Sequence, residues 1–160
     1  MQRNPWRSRD TRRSAASLVA LLFSACGPAP APQPIPIDET KQPWYGELVE
    51  HLAKQNQEAS RLWKKGKPDD AAALIQSGEP MASRLLAVRN PTLAAMQDAS
   101  DLDDLYGRML LSNRNYGWAR LFFQKNLARW KNWTPRTPDT EARLKEAQSA
   151  IAECDQRMQQ

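Results

Sequence analysis

From residue 43 onward, apolar residues recur at the three- and four-residue spacings that place them on one side of a helix. Trp44, Leu48, Leu52, Ala59 and Leu62 form one such face, interrupted by Gln55, and Pro43 suits the first helical position. Lys64, Lys65 and Gly66 close this element with positive charge in the last turn and a residue free to leave the helix. Pro68-Asp69-Asp70 restarts a helix with acids in its first turn, and Gly78 is expected to stop it. Further helical segments are expected at about 80–89, 92–99, 101–113 and 116–132. Thr137 and Pro138 open the last helix, the threonine capping free N–H groups. There Leu144, Ala147, Ile151, Cys154 and Met158 lie on one seam of the kind a helix lays on a neighbour. No alternating strand pattern and no Asn-Gly or Asp-Gly hairpin occurs, so the expected fold class is all-α.

The stretch before this domain has a different pattern. Arg3, Arg7, Arg9, Arg12 and Arg13 precede twelve apolar or small residues, 14–25, too few for the roughly 20 that span a bilayer. The run ends in Leu22-Phe23-Ser24-Ala25-Cys26-Gly27, which resembles the lipobox of bacterial lipoproteins, with Phe23 where that family usually has Leu. The resemblance implies a signal peptide over residues 1–25 and lipidation at Cys26. By the same analogy, the protein would be an outer-membrane lipoprotein facing the periplasm of the bacterial cell envelope. Residues 27–37 contain five prolines, which cannot join a helix or a sheet interior. Residues 26–42 therefore read as a lipidated cysteine and an extended tether at about 3.1 Å per residue, and 43–160 as the helical domain. No later stretch is apolar for long enough to cross a membrane.

This division changes the meaning of the charge. The formal net charge is +5, from 23 basic and 18 acidic residues. The five arginines and the single acid, Asp10, of residues 1–25 account for most of it. Without them 18 basic and 17 acidic residues remain, so a nucleic-acid partner is not expected.

An internal echo is the most informative feature of the domain. Ala59, Leu62, Ala71 and Ile75 recur at identical offsets as Gly107, Leu110, Ala119 and Phe123. This resembles the tetratricopeptide repeat, a helix–turn–helix in which small residues let paired helices approach. The resemblance implies a helical hairpin array; any other small helical bundle with close antiparallel packing is the alternative. The echo departs from that family in three ways: its separation is 48 residues, not about 34, Gln55 and Asp103 stand where large apolar residues are usual, and the second copy lacks the closing proline.

Little of the chain carries reaction chemistry. The single histidine, His51, has no Cys at metal-ligand spacing, and no phosphate-binding glycine loop or haem motif occurs. Neither a cofactor, a metal site nor catalysis is expected. Cys154 lies on the apolar seam and reads as a small core residue. Residues 106–136 are unusual in having no acid. They hold Arg108, Arg114, Arg120, Lys125, Arg129, Lys131 and Arg136, interleaved with Tyr106, Tyr116, Trp118, Phe122, Phe123, Trp130 and Trp133, and are preceded by four acids within 98–104. Basic and aromatic groups together suit acidic protein surfaces, anionic glycans or lipid headgroups. The expected partner surface is accordingly Arg108, Arg114, Tyr116, Trp118, Arg120, Lys125, Arg129, Trp130, Lys131 and Trp133. The expected function is a lipid-anchored envelope module that docks a protein partner. The alternative is a structural lipoprotein that uses this segment to hold anionic cell-wall glycan or lipopolysaccharide.

Overall fold

A computed structural model describes residues 37–160. The signal peptide, Cys26 and most of the tether lie outside the described residues. A short 3₁₀ turn, Glu39–Lys41, is capped by Asp38, whose Oδ1 accepts from the Thr40 amide at 3.2 Å. Five α-helices follow: α1 Pro43–Lys64, α2 Pro68–Leu86, α3 Leu93–Ser112, α4 Tyr116–Asn132 and α5 Pro138–Met158. They pack as a helical hairpin array in which α1 pairs with α2, α3 with α4, and α5 closes on α4; α1 also lies against α3. The all-α expectation holds.

Two boundaries differ from the sequence reading. Gly78 does not stop a helix; it is buried within α2, which runs on to Leu86. A Cβ at Gly78 would lie 3.0 Å from Leu102 Cδ1, so its bare backbone allows α2 and α3 to approach. Pro80 lies just beyond on the exposed side, where the Gln76 carbonyl it leaves unpaired can be solvated. The second difference is that segments 92–99 and 101–113 are one helix, α3. Ser100 joins them, buried, with its Oγ accepting from Trp130 Nε1 at 2.8 Å. A polar residue inside a helix is tolerated when its hydrogen bond is made.

The ends follow their residues closely. Thr92 Oγ1 accepts from the Ala95 amide at 3.3 Å, and the Tyr45 hydroxyl accepts from the Thr92 amide at 3.0 Å, tying α1 to the start of α3. Thr137 opens α5 as expected, in a reciprocal capping box with Thr140.

The 48-residue echo is a structural repeat of the hairpin turn. In the first hairpin Gly66 N donates to Trp63 O at 2.9 Å, Lys67 N to Leu62 O at 3.0 Å, and Ala71 N to Lys67 O at 3.2 Å. In the second, each residue 48 further on repeats this: Arg114 N to Leu111 O at 3.1 Å, Asn115 N to Leu110 O at 2.8 Å, and Ala119 N to Asn115 O at 3.0 Å. Both are Schellman closures with a left-handed residue at the same place, Gly66 at φ 72° and Arg114 at φ 61°. Ala59, Ala71, Gly107, Ala119, Ile75 and Phe123 are all buried at the crossings.

The interruptions Gln55 and Asp103 also repeat. Both are buried. Gln55 Nε2 donates to the Leu74 carbonyl and to Ser77 Oγ at 2.6 Å; Asp103 Oδ1 accepts from Lys125 Nζ at 2.9 Å. Ser77 and Lys125 are again 48 apart, so a polar cross-link recurs at this register in each hairpin.

Candidate functional site

The basic aromatic segment is divided by the fold. Its residues run from the C-terminal half of α3 through the turn, along α4 and into the α4–α5 connection. Ala119, Phe123, Asn126 and Trp130 form the buried side of α4. Trp130 is fully buried, so this member of the expected partner surface is a core residue, held by its bond to Ser100 and by the Arg143 guanidinium over its ring at 5.4 Å. An indole at a helix–helix crossing contributes more as packing than it could as a contact.

Most of the cations are used inside the molecule. Lys125 and Arg129 converge from α4 on the buried carboxylate of Asp103. Arg129 also donates to Asn126 Oδ1 at 2.8 Å and to the Ala99 carbonyl at 3.3 Å. Arg120 Nε donates to Asp155 Oδ1 on α5 at 2.6 Å, and Arg108 Nε to Asp104 Oδ2, one turn back, at 2.7 Å. Arg136 folds back onto the carbonyls of Trp130 and Lys131, at 2.8 and 2.6 Å. Tyr106 and Phe122 stack edge to face with centroids 4.8 Å apart. Arg114 and Lys131 stand exposed, with no ion pair among the described residues; Trp118 is 66% exposed, and Tyr116 and Trp133 are half-buried. The segment therefore has a neutralised inner side and a small basic aromatic outer face along α4.

A wider hollow lies elsewhere. A groove of about 640 Å³ lies between α1 and α3, floored by Trp63 and Leu105 and edged by Gln57, Ser60, Arg61, Lys64, Asp101, Asp104 and Arg108. A second cleft of about 460 Å³ continues it toward α5 and the α3–α4 turn, lined by Ser112, Arg114, Tyr116, Glu153 and Arg157. Trp63 and Arg108 border both. The two helices offer the groove the same register, since Asn56, Gln57 and Ser60 stand 48 residues before Asp104, Leu105 and Arg108. Asn56 is buried in its wall. Its Nδ2 donates to the Asp98 carbonyl at 2.8 Å, while its Oδ1 is buried with no hydrogen-bond partner. Such an acceptor costs on the order of 1–3 kcal/mol unless something donates to it.

Of the residues expected to form the partner surface, Arg108, Arg114 and Tyr116 reach this groove system; the others do not. The α1 side was missed because its residues read as an ordinary solvated helix face. The 48-residue offset, extended from the apolar to the polar positions, is the signal that would have found them.

At Asp98 and Cys154 burial itself displaces the titration. Burial pushes the Asp98 carboxyl up to about 6, with help from the neighbouring charge of Asp101 and against Arg143. Burial likewise pushes the Cys154 thiol up, and the acids on either side add to it. Cys154 lies in the α4–α5 core with Ala119, Phe123 and Ala150. His51 is exposed on α1, and among the described residues no group of three His, Cys, Asp or Glu side chains could hold a metal ion.

Compared with protein-family models, with curated proteins and with solved structures, the chain matches none.

Proposed function

We propose that residues 37–160 are the partner-docking domain of a lipid-anchored protein of the bacterial cell envelope, held to the membrane through Cys26 and a proline-rich tether, with no catalysis of its own. The array reads as a divergent tetratricopeptide-like hairpin pair capped by α5. The observation that carries the docking reading is the α1–α3 groove with the unpartnered Asn56 Oδ1 in its wall. An open, mixed-charge groove floored by Trp63 and Leu105 has apolar surface to cover and polar groups to fix register. Because that oxygen is covered in the free domain, a backbone or side-chain N–H of a bound segment would satisfy Asn56 only as the groove wall opens toward it. The glycan or lipopolysaccharide alternative loses most of its support from charge, because Arg108, Arg120, Lys125 and Arg129 are already paired with acids.

The anchor and the groove are tested separately. Cys26→Ser should abolish labelling by a fatty-acid probe and release the protein from membranes; a mutant that still labels and sediments with membranes refutes the anchor. For docking, a photo-crosslinker placed in cells at Ser60 should capture one defined protein, and the same probe at Lys145 on α5 should not. Asn56→Leu should abolish that capture. Glycan in place of protein at Ser60, or equal capture from both positions, would sink the groove reading.

A further inference from the structure

The outward side of α4 differs from every other exposed helix face in the array. The helix has no acidic residue along its length. Trp118 and Leu121, 66% and 49% exposed, lie one turn apart on that side, with Ala128 and Lys131 exposed further along. At the C-terminal end, Ala128, Met96 and Trp133 line a shallow depression of about 450 Å³. The charge here is positive. Lys125 and Arg129 share the one buried carboxylate of Asp103, leaving one positive charge in surplus, and Lys131 adds another. By contrast, the outer face of α5 carries Glu141, Lys145, Glu146, Gln148 and Gln156, and that of α1 carries Glu47, Glu50, Lys54 and Gln57. Those faces mix acidic and neutral polar groups; that of α4 has no acid.

We infer that the outer face of α4 rests on an anionic phospholipid surface. An exposed indole with lysine and arginine around it and no carboxylate is the chemistry of the headgroup region, where Trp sits at the interface and cations meet phosphates. Two large apolar side chains beside one shallow depression are too little for a stable protein interface, which buries about 1,000 Å² or more. A bilayer contact needs no such area when a tether supplies the concentration. At about 3.1 Å per residue the ten residues between Cys26 and Ile37 would span at most about 30 Å, and the 17 residues of α4 are about 25 Å long. A domain leashed that closely meets the bilayer at millimolar effective concentration. The leash rests on the lipid-anchor reading; the surface contact itself does not, and is measured without it.

The experiment is flotation of residues 37–160, which contain both hydrophobic clusters and so fold without the leader. Vesicles of phosphatidylglycerol with phosphatidylethanolamine should carry the domain upward at low salt and release it at high salt, and vesicles of phosphatidylcholine alone should not. Trp118→Ser combined with Leu121→Ser should weaken binding about tenfold through lost apolar contact. Lys131→Gln should weaken it about fivefold, and Lys145→Gln on the polar face of α5 should leave it unchanged. Asn56→Leu, which tests the groove, should keep vesicle binding, so the two readings fail independently. No binding to the anionic vesicles, equal binding to neutral ones, or an equal loss with Lys145→Gln overturns the inference. So does capture of an acidic protein through Trp118 without vesicle binding.

Discussion

Gly107 and Phe123 are a matched pair, and so are Ala59 and Ile75 at the same register one repeat earlier. A Cβ on Gly107 would fall 2.7 Å from Phe123 Cε1 and 2.9 Å from Cζ, inside any real contact distance. The larger side chain on one helix is accommodated by the missing one on the other. Gly107→Ala should therefore destabilise the domain by about 1–3 kcal/mol despite its better helix propensity. Adding Phe123→Ile, which recreates the Ala–Ile crossing of the first hairpin, should recover most of the loss. Chemical denaturation of the two single mutants and the double mutant decides it; strictly additive losses would mean the pair is not coupled. Asp98 gives a second test. Its folded pKa of about 6 lies above the ordinary aspartate value of 3.8, so the folded state holds its proton more tightly than the unfolded chain does. That contribution is fully present below about pH 4 and lost as pH rises toward and through 6. Asp98→Asn should then raise the melting temperature at pH 7 and make little difference at pH 4. An equal effect at both values would show that the carboxyl titrates normally.

At the scale of the element, the two hairpin turns make the same hydrogen bonds from different residues. The first places glycine in the left-handed position; the second places Arg114 there, at φ 61°. A side chain in that region costs about 1 kcal/mol relative to glycine. Arg114→Gly should therefore stabilise the domain by roughly that amount, read as a higher denaturation midpoint with an unchanged slope, and a lower midpoint would contradict the repeat. Ala71 and Ala119, both fully buried at equivalent crossings, give the converse. Ala71→Leu and Ala119→Leu should each cost about 1–3 kcal/mol in circular dichroism melts. Melts indistinguishable from wild type would place both alanines on the surface. Helix starts at Pro43, Pro68 and Thr137 were legible because these residues act on their own backbone. Continuity was not, since a glycine such as Gly78 reads as a stop until Leu102 is seen against it, and Ser100 reads as a break until Trp130 donates to it.

Across the whole molecule, a core cluster spanning α1, α2 and α3 meets a smaller one between α4 and α5, with Leu110 and Leu111 of α3 packed against the second. Arg143 Nη1 donates to Asp101 Oδ1 at 2.7 Å and Gln97 Nε2 to Asp139 Oδ2 at 3.0 Å, latching α5 onto α3 as well as α4. Cys154 reports on this closure. It is fully buried, and its raised pKa keeps it in the poorly reactive thiol form. Modification by a thiol reagent should be slow in native conditions, with a denaturant midpoint that coincides with loss of helicity. Labelling well before that midpoint would show that α5 undocks on its own.

Fold class, most helix starts, the 48-residue echo and the burial of Cys154 were all readable from the chain, because spacing, capping and small-residue placement are local or periodic properties. The working surface was not. Whether a cation is free or spent depends on which acid the fold brings to it, and Asp103 and Asp155 reach Lys125, Arg129 and Arg120 only once α4 is seated between α3 and α5. The same holds for Trp130, an interface side chain by composition and a core side chain by position. The groove at Asn56 and the bare face at Trp118 exist only as gaps between packed helices and as the side one helix leaves uncovered. Tertiary packing decides both.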